Sequence, residues 1–361
     1  MTASKLRTKA MDFPVRLISD GKTFSVHTYF DICPESPDGK HVVYSRFTGG
    51  IPSRDFSAPK TGHVILVDRD GGAVRVIGCF APRAAHTGAY ALWIDNATVA
   101  YQDGAELCIV DIERGATRRL KGACQMFNPA AGAIFQPGEM YTKSGNDFPP
   151  GFYRLDIQSG KVSAVITVKE LAQLPFVISI GIPYEVSHAK WSPGAKRVAG
   201  RIDGNRKEGR YPLIFSCLPD GSDFIPFRYY SNGNIDKPMH WNFYDDNSFY
   251  GYDVSRPHRP CCRWGLDGTF VEILHEGDGN HGAVSKNGDC FVTDSWYGVE
   301  PRRIMFYRRG DKNPVVLAEM PQSKIVDAHP VFSSDGRRAY FNRTGSDDHG
   351  SQVCAVDFPD I

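Results

Sequence analysis

HPVFSSDGRRAYFNRTG, residues 329–345, decides the fold. It reads as two short strands of aromatic and β-branched residues joined by a tight Ser-Asp-Gly turn. The same pattern returns as SPDGKHVVYSR (36–46), ALWIDNATVAYQDG (91–104), AKWSPGAKRVAGRI (189–202), WNFYDDNSFYGYD (241–253) and AVSKNGDCFVTDSW (283–296). Each copy is followed by an apolar strand, a turn and a further strand, as in HVILVDRDGGAVRVIG (63–78) and RIMFYRRGDKNPVVLAE (303–319). The third copy is looser, ending in FYRLDIQSGKVSAVIT (152–167).

Repetition at this spacing means that each unit is one four-stranded sheet, and a ring of such sheets is a β-propeller. Seven units follow one another, starting at 37, 90, 128, 188, 240, 281 and 329. The last has only three strands before the chain stops at Ile361. VRLISDG (15–21) supplies a spare strand at the other end. It is expected to complete the last blade, closing the ring and removing two open sheet edges. The expectation is therefore an all-β, seven-bladed propeller over residues 1–361 as one domain. The competing fold is a β-sandwich with an irregular repeat. One helix is expected, over VKELAQL (168–174), ended by Pro175.

Composition narrows the function. The 42 Lys plus Arg balance 41 Asp plus Glu, so no basic excess points to nucleic acid or a bilayer. No run approaches the roughly 20 apolar residues of a membrane span, and the N-terminus lacks an apolar export core. Nine scattered cysteines, with Cys261 and Cys262 adjacent and no CxxC, read as reduced thiols of a cytoplasmic protein. A closed ring needs no second copy, so a monomer is adequate.

The inner strands of a propeller line its axis, and residues at their starts converge on one face. His86, His188, His240, His281 and His329 fall at such positions, the last four in consecutive blades. Repeats of this type also carry a structural histidine there. Four together favour a joint site, because imidazole suits transition metals and serves as a general base near neutral pH. Arg201, Arg206, Lys207, Arg210 and Arg228 make the fourth blade locally basic, or simply solvated. GDGNHG (277–282) lacks the lysine and helix of a phosphate loop, and neither a Gly-x-Ser-x-Gly elbow nor HExxH occurs.

Four stretches resemble the oligogalacturonate lyases, TolB-like seven-bladed propellers that cleave pectin fragments inside bacteria. RLISDGKTFSVHTYF leading to SPDGKHVVYSR (16–46) resembles the family's opening, with His27, Tyr29 and Arg46 in it. HWNFYDD from His240, HGAVSKNGDCFVTDSW from His281 and DAHPVFSSDGRRAYFNRTG from Asp327 resemble three of its histidine-bearing segments. The resemblance implies β-elimination on a uronate oligosaccharide, with His240 as base and Arg210, or alternatively Arg206, as the charge-stabilising arginine. His188 joins the catalytic candidates. It also implies a divalent metal, manganese in the family, on His281 and His329.

Two positions depart from the family. Asp327 stands where it has a histidine, and Lys324 falls near its ligand glutamine. Aspartate can ligate a hard or borderline metal, so His281, Asp327 and His329 form one ligand set. Alternatively Lys324 is itself the cation and no metal is needed. These departures lead us to expect a substrate other than plain oligogalacturonate. His27, Tyr29, Arg46, His86, Trp241, Trp296, Tyr297 and Lys324 are the substrate-binding candidates, the aromatics by stacking on sugar rings or else by packing in the blades. Two rival functions remain, a non-catalytic TolB-like binding propeller and a glycoside hydrolase. The hydrolase would need paired carboxylates such as Asp327 with Glu185 or Asp278.

Overall fold

The computed structural model describes residues 13–55, 57–137, 148–180, 182–206, 209–231, 234–236, 238–344 and 350–358. Seven four-stranded antiparallel sheets follow one another as the blades of a propeller. The first comprises Ser25–Val26, His41–Phe47, Lys60–Asp68 and Arg75–Arg83. The inner strands of blades 2 to 7 are Leu92–Trp93, Met126–Asn128, Ile182–Trp191, Met239–Asp245, Gly282–Val284 and Val331–Phe332. The outer edge of blade 7 is Val15–Leu17, which pairs antiparallel with Ser351–Asp357, Val15 opposite Val356. The ring is thus closed as the spare N-terminal strand predicts.

The turn chemistry explains the repeat. Ser36, Ser285 and Ser333 each take a side-chain contact with Asp38, Asn287 or Asp335 two residues on, at 2.6–2.7 Å. Each serine hydroxyl also accepts from the backbone five residues ahead, at His41, Cys290 and Arg338. Gly39, Gly288 and Gly336 supply the left-handed residue that such a turn requires, at φ of 72°, 80° and 74°. Blade 4 puts Ala195 there instead, at φ 56°.

The blades pack face to face through side chains from their two middle strands. One such core joins Trp241, Phe249 and Trp264 of blade 5 to Ile214 and Phe227 around blade 4. The strands farthest from the axis are mostly exposed, as in Thr117–Lys121.

Three sequence expectations need correction. The helix divides in two, Val168–Leu171 and Pro175–Ile180. The first already ends at Leu171, capped by Ala172, and Pro175 opens the second, because a helix's first residue needs no backbone N–H. Thr167 and Glu170 cap the first reciprocally. The third blade begins earlier than expected, at Met126. His188 and His240 lie within their inner strands and not ahead of them. Pairing slips there, between Ser187 and Lys190 and between Met239 and Asn242. Between blades 4 and 5 lies an extra hairpin, Tyr229–Ser231 with Asn234–Asp236. All nine cysteines are free, and all but Cys33 and Cys79 are buried.

Candidate functional site

Four ring positions four residues ahead of the inner turn carry Tyr90, His188, His240 and His329, each with positive φ (55°, 60°, 49° and 47°). A left-handed residue in a strand makes a bulge and re-aims its side chain. At His240 and His329 that break brings the rings against His281, whereas Tyr90 stays in a core cluster with Leu92 and Ala100. His281 reaches the axis from just before Gly282–Val284.

His86, His240, His281 and His329 form a continuous ring-to-ring chain there. Centroid separations are 3.9 Å for His240–His281, 4.6 Å for His281–His329 and 5.0 Å for His329–His86. Asp327 lies beneath them, its side chain only 1% exposed. Its Oδ2 is 3.6 Å from His86 Nδ1 and 3.9 Å from both His281 Nε2 and His329 Nε2. The same oxygen accepts from Arg54 Nη2, and Oδ1 lies 3.4 Å from Arg302 Nη1. Arg302 also donates to Asp294 Oδ2 at 2.7 Å.

Burial and charge set the protonation. Burial pushes His86 down to about 4 and His329 well below the usual imidazole value, so both are neutral. His27, against the backbone of Ala328 and His329, is likewise pushed down by burial, to about 4. Burial opposes ionisation of Asp327, but His281, His86 and Arg54 outweigh it and hold the carboxyl well below its usual range.

His281 Nδ1 lies between Asp294 Oδ2, an acceptor at 3.3 Å, and Asn280 Nδ2, a donor at 3.2 Å, and its backbone N–H donates to Asp294 Oδ1 at 2.8 Å. Its Nε2 is 3.4 Å from the Tyr297 hydroxyl. His240 Nδ1 lies 3.1 Å from the Asn280 carbonyl oxygen. A carbonyl only accepts, so Nδ1–H donates, and in the neutral ring Nε2 then carries the lone pair.

A divalent cation fits these residues. Ligand atoms of His86, Asp327 and His329 all lie within 4.8 Å of one another. Neither ring nitrogen of buried His329 has a hydrogen-bond partner among the described residues, so its lone pair is available to a ligand. Two neutral imidazoles and a carboxylate are a common divalent ligand set. His86, expected among the substrate contacts, belongs to this group. His281 adjoins it through Asp327.

Other expected residues fall around the centre. Tyr29 packs edge-on against His329 at 4.6 Å and His86 at 5.7 Å. Tyr297 is exposed above His281 and His240. His188 lies on the far side of the axis, its Nδ1 2.8 Å from Ser187 Oγ, beside the buried Lys190–Asp31 ion pair.

Four expected residues stand apart. Trp241 is 4% exposed and belongs to a blade core, which leaves no free face for stacking on a sugar. Trp296 is covered by the Arg259 guanidinium at 4.5 Å. Arg46 pairs with Asp20 at 3.7 Å. Lys324 is exposed on the loop before Asp327. The backbone of Arg210 pairs with Asn205 at the tip of blade 4; its side chain and those of Arg206 and Glu185 lie outside the described residues, as does Lys207. Asp278 is engaged by Arg259 at 2.6–2.8 Å.

Sequence reasoning missed Arg54, Asp294 and Arg302. Asp294 and Arg302 sit in ordinary strand contexts, and Arg54 in a loop that no repeat marks.

No protein-family model matches the chain, and none of the curated proteins matches it. Solved structures do. An oligogalacturonate lyase in complex with manganese aligns at a TM-score of 0.65 and 15% identity, covering 98% of each chain. The oligogalacturonate lyase of Vibrio parahaemolyticus aligns at 0.65 and 14%, covering 99% of each. The β-propeller domain of the Trilobed protease from Pyrococcus furiosus aligns at 0.52 and 9%, covering 93% of this chain and 95% of that one. The sequence resemblance to the lyases is thus matched by a likeness of fold along nearly the whole chain. Propellers with other work to do share that fold.

Proposed function

We propose that this protein is a lyase that cleaves short uronate-containing oligosaccharides by β-elimination, with His240 as the base. The observation that carries the reading is the His240 Nδ1 contact with the Asn280 carbonyl, which in the neutral ring leaves the lone pair on Nε2 of a half-buried side chain beside His281. The base takes the proton at C5 of the uronate. The electron pair left behind forms the C4–C5 double bond. The sugar linked through O4 leaves with its bonding electrons and takes up a proton.

The C5 proton is weakly acidic while the neighbouring carboxylate is an anion, so cations must offset the charge that develops there. Arg54 and Arg302 bring two guanidinium groups to Asp327. Arg210 keeps its implied role beside the uronate carboxylate. A divalent cation, manganese by resemblance, would be held by His86, Asp327 and His329 with His281 beside them, and would neutralise that carboxylate as a Lewis acid. Tyr297 is the exposed aromatic ring proposed to meet the sugar, whereas Tyr29 is buried against His86 and His329. The substrate class is an acidic oligosaccharide, and the departures at Asp327 and Lys324 favour a uronate other than plain oligogalacturonate. Buried free thiols fit a reducing compartment, and the reading includes a cytoplasmic, monomeric protein.

The hydrolase alternative lacks an acid among the described side chains: Asp327 is held well below its usual range and could act only as the ionised partner, and Asp278 is paired with Arg259. The binding-propeller alternative draws on the closure of the centre, since His281 and His329 are 0–1% exposed.

One assay separates them. Protein is mixed with a panel of uronate oligosaccharides, with and without chelator, and the ultraviolet absorbance of the unsaturated product is followed. The expected result is product formation that His240→Ala lowers by about 10²–10⁴-fold. Absence of product on every uronate, with manganese supplied, would leave the binding propeller.

A further inference from the structure

Asp327 Oδ2 is the point on which the centre converges. His86, His281 and His329 all face that one oxygen, at 3.6, 3.9 and 3.9 Å. It is also the oxygen bound by Arg54 Nη2. A cation held by His86, Asp327 and His329 would share Oδ2 with the Arg54 guanidinium. A guanidinium has donors only and cannot share in ligation. Two adjacent cations on one carboxylate oxygen repel strongly where water is excluded.

The two arginines on Asp327 differ in their freedom to give way. Arg302 is 3% exposed and tied to Asp294 as well. Arg54 is 41% exposed and comes from the connection between His41–Phe47 and Lys60–Asp68, at the rim of the channel. Its long side chain can move into solvent while its backbone stays in place.

We propose that Arg54 is a latch: it neutralises Asp327 until a divalent cation displaces it, and the released guanidinium then takes the carboxylate of a uronate ligand. The inference deepens the lyase reading and rests on its choice of ligand class. Its physical content is linkage. Metal and uronate each favour the unlatched state, so each tightens the other's binding by the same factor. Neither ligand has to touch the other for this coupling to arise. Arg54 thus couples the two ligands because its guanidinium binds either Asp327 or the uronate.

The test is an equilibrium titration of the full chain with Mn²⁺ alone, and again with free galacturonate present. The monosaccharide has no O4-linked sugar to expel, so nothing turns over. Arg54→Ala is expected to bind Mn²⁺ at least about tenfold more tightly than the unsubstituted protein. Galacturonate is expected to tighten Mn²⁺ binding to the unsubstituted protein by a larger factor than it tightens that of Arg54→Ala, which keeps only the direct metal–carboxylate contribution. Arg54→Lys, which keeps a charge on a single donor group, should fall between the two and guards against a misfolded alanine variant.

Equal Mn²⁺ affinity in all three proteins would overturn the latch, as would absence of Mn²⁺ binding by any of them. The elimination assay stands apart from these titrations. Uronate cleavage with equal Mn²⁺ affinities removes the latch and leaves the lyase. The expected titrations without product on any uronate uphold the latch and remove the lyase.

Discussion

His275 shows what burial alone does to a single residue. It has no exposed surface, and its ring stacks on Tyr307 at 4.0 Å and 13°. Burial pushes its pKa down to about 3 from an ordinary 6.5. The folded chain therefore binds fewer protons than the unfolded chain between those values. Its contribution to stability is complete above about pH 6.5 and is lost as pH falls toward 3. At about pH 5 this one group costs roughly 2 kcal/mol. His275→Phe keeps the stacking and removes the titration. We expect urea midpoints at about pH 7.5 and pH 5 to lie closer together in that variant. An unchanged gap would show that the ring is already solvated.

The axial histidines were legible because they share one repeat position, which a reader can align. Arg54 and Arg302 were not, because arginine is common and nothing in the chain says which of them meets Asp327. Trp241 misled for the opposite reason. An aromatic beside His240 points to the other face of its strand, and there it meets Phe249 at 5.4 Å.

Turns and bulges decide what each element does. Where a blade reads Ser-x-Asp-Gly, glycine takes the left-handed residue without strain. Ala195 takes it in blade 4 at φ 56° and bears a methyl group there. That conformation costs an alanine about 1–2 kcal/mol, partly offset by the greater freedom of glycine when unfolded. Ala195→Gly should therefore raise stability by up to about 1 kcal/mol, read as a higher denaturant midpoint at unchanged slope. A lower midpoint would mean that the methyl group's contacts outweigh its strain.

The turns announce themselves in sequence because only a few residue types can make them. The bulges at His188 and His240 do not. Histidine is tolerated in left-handed backbone but does not require it. Their consequence, side chains aimed along the axis, emerges only once the sheets pair.

At the scale of the whole molecule, one short contact holds the ring. Val15, Arg16 and Leu17 pair with Val356, Ala355 and Cys354. Arg16 also reaches Asp70 of blade 1 and Asp357 of blade 7. Arg16→Pro removes a backbone donor from this strand together with the ion pairs to Asp70 and Asp357. We expect a lower melting temperature and faster protease cleavage in blade 7. A substitution without effect would mean that packing between blades suffices to keep the ring shut.

Closure by the two ends also sets an order in time. A ribosome makes the chain from residue 1 onward, so the strand at 15–17 emerges early and waits for its partner. That partner is complete only after some 340 further residues have been added. Asp327 and His329 belong to the same late stretch. A nascent or prematurely ended chain thus holds several stacked blades but no finished centre, and chemistry begins only with the last blade.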